Sequence, residues 1–228
     1  MSKQHESVLS ALNPKRALGK CQYLLVGLLI MLIASPIGDQ FGTTNYVLYA
    51  TELFVIVGGL MALGNNRLHT ILAIICVIPM VTTSVLAVID DDVNTLHSGV
   101  SSFLFYAYLA FTLRRYLIAR DRVTKDSIAG MLVSYMVIAL MFASIYAFFE
   151  LVEPGAIYLD PDRFADAEIK YGEIVYFSFV TQTTLGYGDI TPVSKITRAL
   201  AFLQATLGVF FIAIIVAQFI SQYRHADE

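Results

Sequence analysis

Residues 172–192 read GEIVYFSFVTQTTLGYGDITP, and the architecture expected for the rest of the chain follows from them. Its first dozen residues, 172–183, are apolar and aromatic enough to be buried but too few to cross a membrane, which takes about 20 residues of helix. Residues 184–189 contain two glycines at alternate positions and continue neither a helix nor a lipid-exposed strand. Because non-helical backbone at membrane depth needs protein or a water-filled path around it, the stretch predicts a re-entrant half-helix followed by an enclosed loop.

The composition of the chain supplies a membrane setting for this segment. Of 228 residues, 57% are hydrophobic and 14% are charged, whereas globular domains average about 25% charged. This composition excludes a soluble enzyme, and a formal charge of -3 without a basic, aromatic-rich stretch excludes nucleic-acid binding. Cys21 and Cys76 lie inside apolar runs and give neither a disulfide framework nor a close-spaced pair of metal ligands.

Six apolar stretches predict transmembrane helices. They cover roughly residues 21–38, 46–63, 68–89, 93–113, 127–149 and 199–220. The first also has the form of a secretory signal, and we expect it to be retained as a helix. The second carries Glu52, which we interpret as a shallow carboxylate that reaches headgroup water in preference to a functional intramembrane charge.

The distribution of basic residues predicts the orientation of these helices, because Lys and Arg collect in cytoplasmic loops. Six helices that alternate from a cytoplasmic start put eleven basic residues inside and four outside. We therefore expect a multi-pass protein of the cell membrane with cytoplasmic N- and C-termini.

The motif Thr184-Leu185-Gly186-Tyr187-Gly188-Asp189, preceded by Thr183, resembles the filter of potassium channels, Thr-Val-Gly-Tyr-Gly followed by Asp. The resemblance covers about residues 127–222, which look like the two-transmembrane ion-channel domain. It implies an all-α membrane protein of six transmembrane helices, with a re-entrant pore helix and a selectivity-filter loop between helices five and six. A glycine-rich turn is the other interpretation of this motif, but the position between two spans favours the filter.

A potassium filter must replace the water shell of the ion with oxygens, so successive backbone carbonyls have to point to one axis. Gly186 and Gly188 reach left-handed backbone angles without a side-chain penalty and so allow this arrangement. We expect K+ to be coordinated by the carbonyls of Thr184, Leu185, Gly186 and Tyr187 and by the hydroxyl of Thr184. The side chains of Leu185 and Tyr187 are expected to point outward into a packed cuff.

Four residues are expected to support the filter: Thr183, Gly188, Asp189 and Tyr176. In similar channels the carboxylate after the filter reaches a side chain of the pore helix. Val180 occupies a position where some relatives carry Glu, so we predict that the Tyr176 hydroxyl donates to Asp189 instead.

One filter segment supplies a quarter of each oxygen ring, so the chain is expected to form a cyclic homotetramer surrounded by membrane lipid, with K+ as the permeant ion.

The last span is expected to line the inner pore. Gly208 stands where the resemblance places a hinge glycine, and two interpretations stay open, a bending point and a site of close helix packing. Ile212, Val216 and Ile220 follow at one-turn spacing and are predicted to face the axis as an inner constriction.

The outer loop from Glu150 to Glu173 carries seven carboxylates against two basic residues. This excess predicts a negative vestibule that concentrates cations, although solubility alone would also favour it.

Residues 1–20 are predicted to be a cytoplasmic segment, residues 21–126 a four-helix membrane domain with its linker, residues 127–222 the pore domain and residues 223–228 a short cytoplasmic tail. The fourth span has no basic residue, which indicates a voltage-insensitive channel. The sequence thus predicts passive, potassium-selective conduction and no enzymatic activity. Two alternatives are a potassium transporter that works by alternating access and a non-conducting subunit of a channel complex.

Overall fold

A computed structural model describes residues 19–40, 55–56, 67–89, 95–118, 124–161 and 169–224. Its helices are α1 (Lys20–Gln40), α2 (Arg67–Ile89), α3 (Thr95–Ile118), α4 (Lys125–Val152), α5 (Tyr171–Gln182) and α6 (Lys195–Arg224). Helices therefore occur where the sequence predicts five of the six spans and the short half-helix. The span predicted at 46–63 lies outside the described residues except for Val55 and Ile56, which are helical.

Two of the described helices are long and apolar enough to cross a membrane, Lys125–Val152 and Lys195–Gln218. They differ in their surroundings within one chain, because 67% of the apolar window of α4 is buried but only 11% of that of α6. α4 is therefore the central helix, and α6 presents most of its apolar surface outward. A topology of six membrane helices stays a prediction.

α4 is built to be packed on several sides. The hydroxyl of Thr124 caps its start by accepting from the N–H of Ser127 at 3.1 Å. Small side chains along the helix are buried and let neighbours approach closely: Ala129, Gly130, Ala139, Ala143 and Ala147. α1, α3 and α5 all pack against this helix.

Asp126 joins three helices at the start of α4. Its Oδ1 accepts from the N–H of Cys21 at 2.9 Å, and its Oδ2 accepts from the hydroxyl of Tyr116 at 2.6 Å. The first N–H groups of a helix lack partners within the helix, so this carboxylate satisfies one at the start of α1. The same contact aligns α1 and the end of α3 with the start of α4.

A two-stranded antiparallel sheet was not predicted from the sequence and modifies the expected all-α fold. Strand β1 (Ile157–Leu159) pairs with β2 (Ile190–Pro192), with Ile157 opposite Pro192 and Leu159 opposite Ile190. Three residues are too few to give a period-two pattern, which explains why the strands escaped detection. The sheet fixes the chain that leaves residues 184–189 to the turn that follows α4.

An apolar cluster between α4, α5 and the sheet positions α5. Its centre contains Phe142, Tyr146, Ile174 and Phe177, all of them buried. The rings of Tyr146 and Phe177 meet edge to face, with centroids 4.9 Å apart. α5 is consequently held along its length before the loop begins.

Candidate functional site

The end of α5 determines how the loop of residues 184–189 begins. The N–H of Thr184 donates to the carbonyl of Thr181, and the N–H of Leu185 donates to the carbonyl of Val180, both at 3.0 Å. These two bonds, with a left-handed residue at Thr184, form a Schellman motif, which satisfies the last carbonyls of a helix. The chain therefore turns sharply out of α5 at Thr184.

Thr184 is unusual at this position. Its φ is 59°, and among the described residues it is the one non-glycine residue with positive φ. Glycine is the ordinary choice there, because a left-handed conformation costs an L-residue about 1–2 kcal/mol. A strained residue at a turn indicates that its side chain has a function, and the side chain of Thr184 supplies a hydroxyl.

Left-handed backbone recurs at every second residue of the loop. Gly186 has a φ of 58° and Gly188 a φ of 79°, so positions 184, 186 and 188 share this conformation. A Cβ on either glycine would meet nothing within 4 Å, so the backbone angle, and not a lack of space, requires glycine. The sequence predicted this for the two glycines but not for Thr184.

The side chains between these positions lie on the surface of the single chain. Leu185 is 54% exposed and Tyr187 is 60% exposed. The packed cuff expected around them is therefore not formed within one chain.

Asp189 ends the loop and is held from three directions. The hydroxyl of Tyr176 donates to its Oδ2 at 2.7 Å, so the hydrogen bond predicted from the sequence is present. Its Oδ1 accepts from the N–H of Ile190 at 3.0 Å, and its carbonyl accepts from the N–H of Asp160 at 3.0 Å. The outer end of the loop is thus tied both to α5 and to the chain beyond β1.

Glu150 has a role that differs from the expected vestibule charge. It is buried, and its two oxygens accept from the N–H of Gly155 at 2.7 Å and from the N–H of Ile157 at 2.9 Å. The carboxylate therefore shapes the turn between α4 and β1. Three further carboxylates of the expected vestibule lie outside the described residues: Asp162, Asp166 and Glu168.

A buried polar network lies behind the loop and was missed at the level of sequence. Gln204 of α6 donates to Ser178 and Gln182 of α5, and it accepts from Tyr146 of α4. Both glutamines sit inside apolar segments, where an amide is expensive unless it is bonded. An amide inside an apolar segment is therefore a signal in the sequence, but Gln22 and Gln218 share it, so it does not single out Gln182 and Gln204.

Gly208 lies directly against the end of α5. A Cβ on Gly208 would overlap the carbonyl oxygen of Gln182 and would lie 3.0 Å from its Cγ. Of the two interpretations left open by the sequence, this contact supports close helix packing.

The other residues expected to line the inner pore are on the outward face of α6. Ile212 is 52% exposed and Val216 is 50% exposed. Ile220 is helical, but its side chain lies outside the described residues. In the part of the chain that the structure describes, no group of three or more His, Cys, Asp or Glu residues could hold a metal ion.

Together these elements define a class of protein: a helical membrane protein in which a short helix and a glycine-containing loop stand between two apolar helices. Residues 130–225 match the family model described as an ion channel, the two-transmembrane ion channel domain. This part of the chain is therefore similar to the ion channels of that family. No curated protein and no solved structure matches the chain.

Proposed function

We propose that the chain is the subunit of a potassium-selective channel that passes K+ passively across the cell membrane through residues 184–189. The observation that carries this proposal is the left-handed backbone at Thr184, Gly186 and Gly188. In an ordinary strand, successive carbonyls point to opposite sides. Left-handed residues at every second position turn them toward one side, as a row of oxygens for a dehydrated ion requires.

The coordinating oxygens are the carbonyls of Thr184, Leu185, Gly186 and Tyr187, with the Thr184 hydroxyl at the inner mouth. K+ is the permeant ion rather than a resident cofactor. The strain at Thr184 supports the role of its hydroxyl, because glycine would end α5 with less strain but would supply no hydroxyl.

Four copies around a common axis would complete the oxygen rings, so the proposed assembly is a homotetramer in membrane lipid. Exposed apolar side chains near the loop and on α6 support it: Leu185, Tyr187, Phe202, Leu203 and Phe210. In the tetramer, Leu185 and Tyr187 would form the cuff that a single chain leaves open. Six membrane helices with both termini in the cytoplasm complete the proposed topology.

The inner half of α6 would line the water-filled entrance. Ile212 and Val216 are exposed at one-turn spacing, and with Ile220 they would form the inner constriction. Conduction is proposed to be voltage-insensitive, because α3 carries its arginines, Arg114 and Arg115, only near its C-terminal end. Each charge that moves through the membrane field contributes about 2.3 kcal/mol per 100 mV. Without such charges, currents stepped over about 200 mV should show only shallow curvature.

Single-channel recording of the purified protein in planar bilayers tests the proposal. Discrete current steps with K+ as the permeant ion are expected. Slow flux without steps would favour alternating access, and protein that assembles as a tetramer but passes no ion would favour a non-conducting subunit.

A further inference from the structure

We propose that Gln204 is a positioning residue that fixes α6 to the last two turns of α5, so that the geometry of residues 184–189 depends on α6 at this level. The inference rests on the proposed function and names a residue through which that function is controlled.

The amide of Gln204 makes contacts with two other helices. Its Nε2 donates to the carbonyl of Ser178 at 3.0 Å and to the Ser178 hydroxyl at 2.8 Å, and it lies 3.3 Å from Oε1 of Gln182. Its Oε1 accepts from the hydroxyl of Tyr146 on α4 at 2.9 Å. Gln204 is fully buried, so both ends of the amide depend on these partners.

Ser178 connects the network to the backbone of α4. Its hydroxyl donates to the carbonyl of Ala139 at 2.6 Å while it accepts from Gln204. The Ser178 hydroxyl of α5 is therefore bonded to both α4 and α6.

Gln182 carries the network to the loop, because it stands two residues before Thr184. Its Nε2 donates to the carbonyl of Tyr135 at 2.6 Å, and the Tyr135 hydroxyl donates back to the carbonyl of Gln182 at 3.1 Å. The last residue of α5 is thus held by α4 on one side and by Gln204 on the other. A displacement of α6 at Gln204 would move the residue from which the loop starts.

Gly208, one turn further along α6, strengthens this coupling. Without a side chain it lets the α6 backbone approach the carbonyl of Gln182. The segment from Gln204 to Gly208 is therefore fixed to the end of α5, and any bending of α6 is expected beyond Gly208. Breaking the network would leave buried amide groups without partners, which is costly in a medium without water.

The experiment compares Gln204→Leu and Ser178→Ala with the parent protein in single-channel records. Ser144→Ala is the matched control, because Ser144 is equally buried but bonds only the carbonyl of Leu140 in its own helix, at 3.1 Å. We expect mean open times to fall about tenfold in the two network variants, the effect of losing roughly one buried hydrogen bond. The control should match the parent.

Single-channel records separate positioning from simple structural support. A merely structural role would lower the yield of tetramers but leave open times and ion selectivity of the surviving channels unchanged, and this outcome would overturn the inference. If Gln204→Leu does not assemble, Tyr146→Phe removes one hydroxyl of the same network and should also shorten the open times. Normal records from Tyr146→Phe would then count against the inference.

The parent protein separates a failure of the proposed function from a failure of the proposed role of Gln204. A parent that passes no K+ contradicts the proposed function itself. If the parent conducts and the network variants have the same open times and selectivity as the parent, only the role of Gln204 is contradicted.

Discussion

The hydroxyl of Tyr176 donates to Oδ2 of Asp189 at 2.7 Å and joins the second turn of α5 to the residue that ends the glycine-containing loop. The backbone of Asp189 is held separately, because its carbonyl accepts from the N–H of Asp160. The outer end of the loop therefore has a side-chain brace and a main-chain brace, and the two can be removed independently.

Tyr176→Phe removes only the hydroxyl of the side-chain brace. A hydrogen bond to a carboxylate contributes about 1.5–3 kcal/mol, so we expect shorter open times or weaker potassium selectivity while the tetramer still assembles. Single-channel records of the purified variant measure both properties.

Phe177, the next residue, provides the control for this substitution. It is buried against Tyr146, so its truncation to Leu should reduce packing and yield before it affects conduction. Open times and selectivity of Tyr176→Phe that equal those of the parent would refute the brace.

Gly208→Ala should disturb the contact between α6 and the end of α5. The new methyl group would overlap the carbonyl oxygen of Gln182, which is backbone and has little freedom to move. We expect a loss of about 1–3 kcal/mol in stability, typical of overpacking, and a lower yield of tetramers. Thermal unfolding in detergent followed by size-exclusion chromatography measures this effect.

Gly172→Ala is the matched control, because a Cβ on Gly172 would meet nothing within 4 Å. There alanine should be neutral or should stabilise α5 by up to about 1 kcal/mol. If Gly208→Ala were tolerated as well as Gly172→Ala, or if it only slowed opening without a loss of stability, a hinge would be the better account of Gly208.

Thr184→Gly should separate stability from selectivity. It removes a left-handed penalty of about 1–2 kcal/mol and also the hydroxyl proposed for the inner mouth. We expect equal or higher thermal stability together with lower selectivity for K+ over Na+. Melting temperature and reversal potential measure the two effects on the same preparation.

Thr183→Gly makes the same change one residue earlier, where φ is -78° and an ordinary residue is unstrained. That variant should lose stability, since glycine increases the entropy of the unfolded chain and the Thr183 hydroxyl bond to the carbonyl of Phe179 disappears. Equal losses of stability in both variants would show that Thr184 is not strained.

Sequence reasoning located the helices and the loop because their signals are local. The length of apolar runs predicts α4 and α6, and Gly186 and Gly188 directly indicate left-handed backbone. The bond between Tyr176 and Asp189 was predictable because Val180 removes the alternative partner.

Features that depend on the meeting of distant segments were not predictable in the same way. Glu150 was counted as a surface charge because its role appears only in the folded turn. There it accepts hydrogen bonds from the N–H groups of Gly155 and Ile157. The bond from Gln204 to Ser178 joins residues of different helices, and apolar periodicity says nothing about their register. The strain at Thr184 was missed because threonine rarely adopts positive φ.

Glu150→Gln should weaken the turn between α4 and β1. The amide has one oxygen that accepts and one nitrogen that only donates, so it can keep only one of the two bonds. The other backbone N–H is left buried without an acceptor, at a cost of about 1–3 kcal/mol. Glu153→Gln changes the same charge in the same turn at an exposed side chain and should be nearly neutral. Thermal unfolding compares the two, and equal effects would mean that Glu150 acts through charge alone.

The reversal potential of the purified parent channel in a mixed gradient of K+ and Na+ is the sharpest test of residues 184–189 as a potassium filter, because it reports selectivity without reference to gating. With a tenfold K+ gradient opposed by Na+, the reversal potential should lie close to the K+ equilibrium value, about 59 mV from zero. A reversal potential near zero, which means equal permeability to both ions, would contradict the assignment of residues 184–189 as a potassium filter.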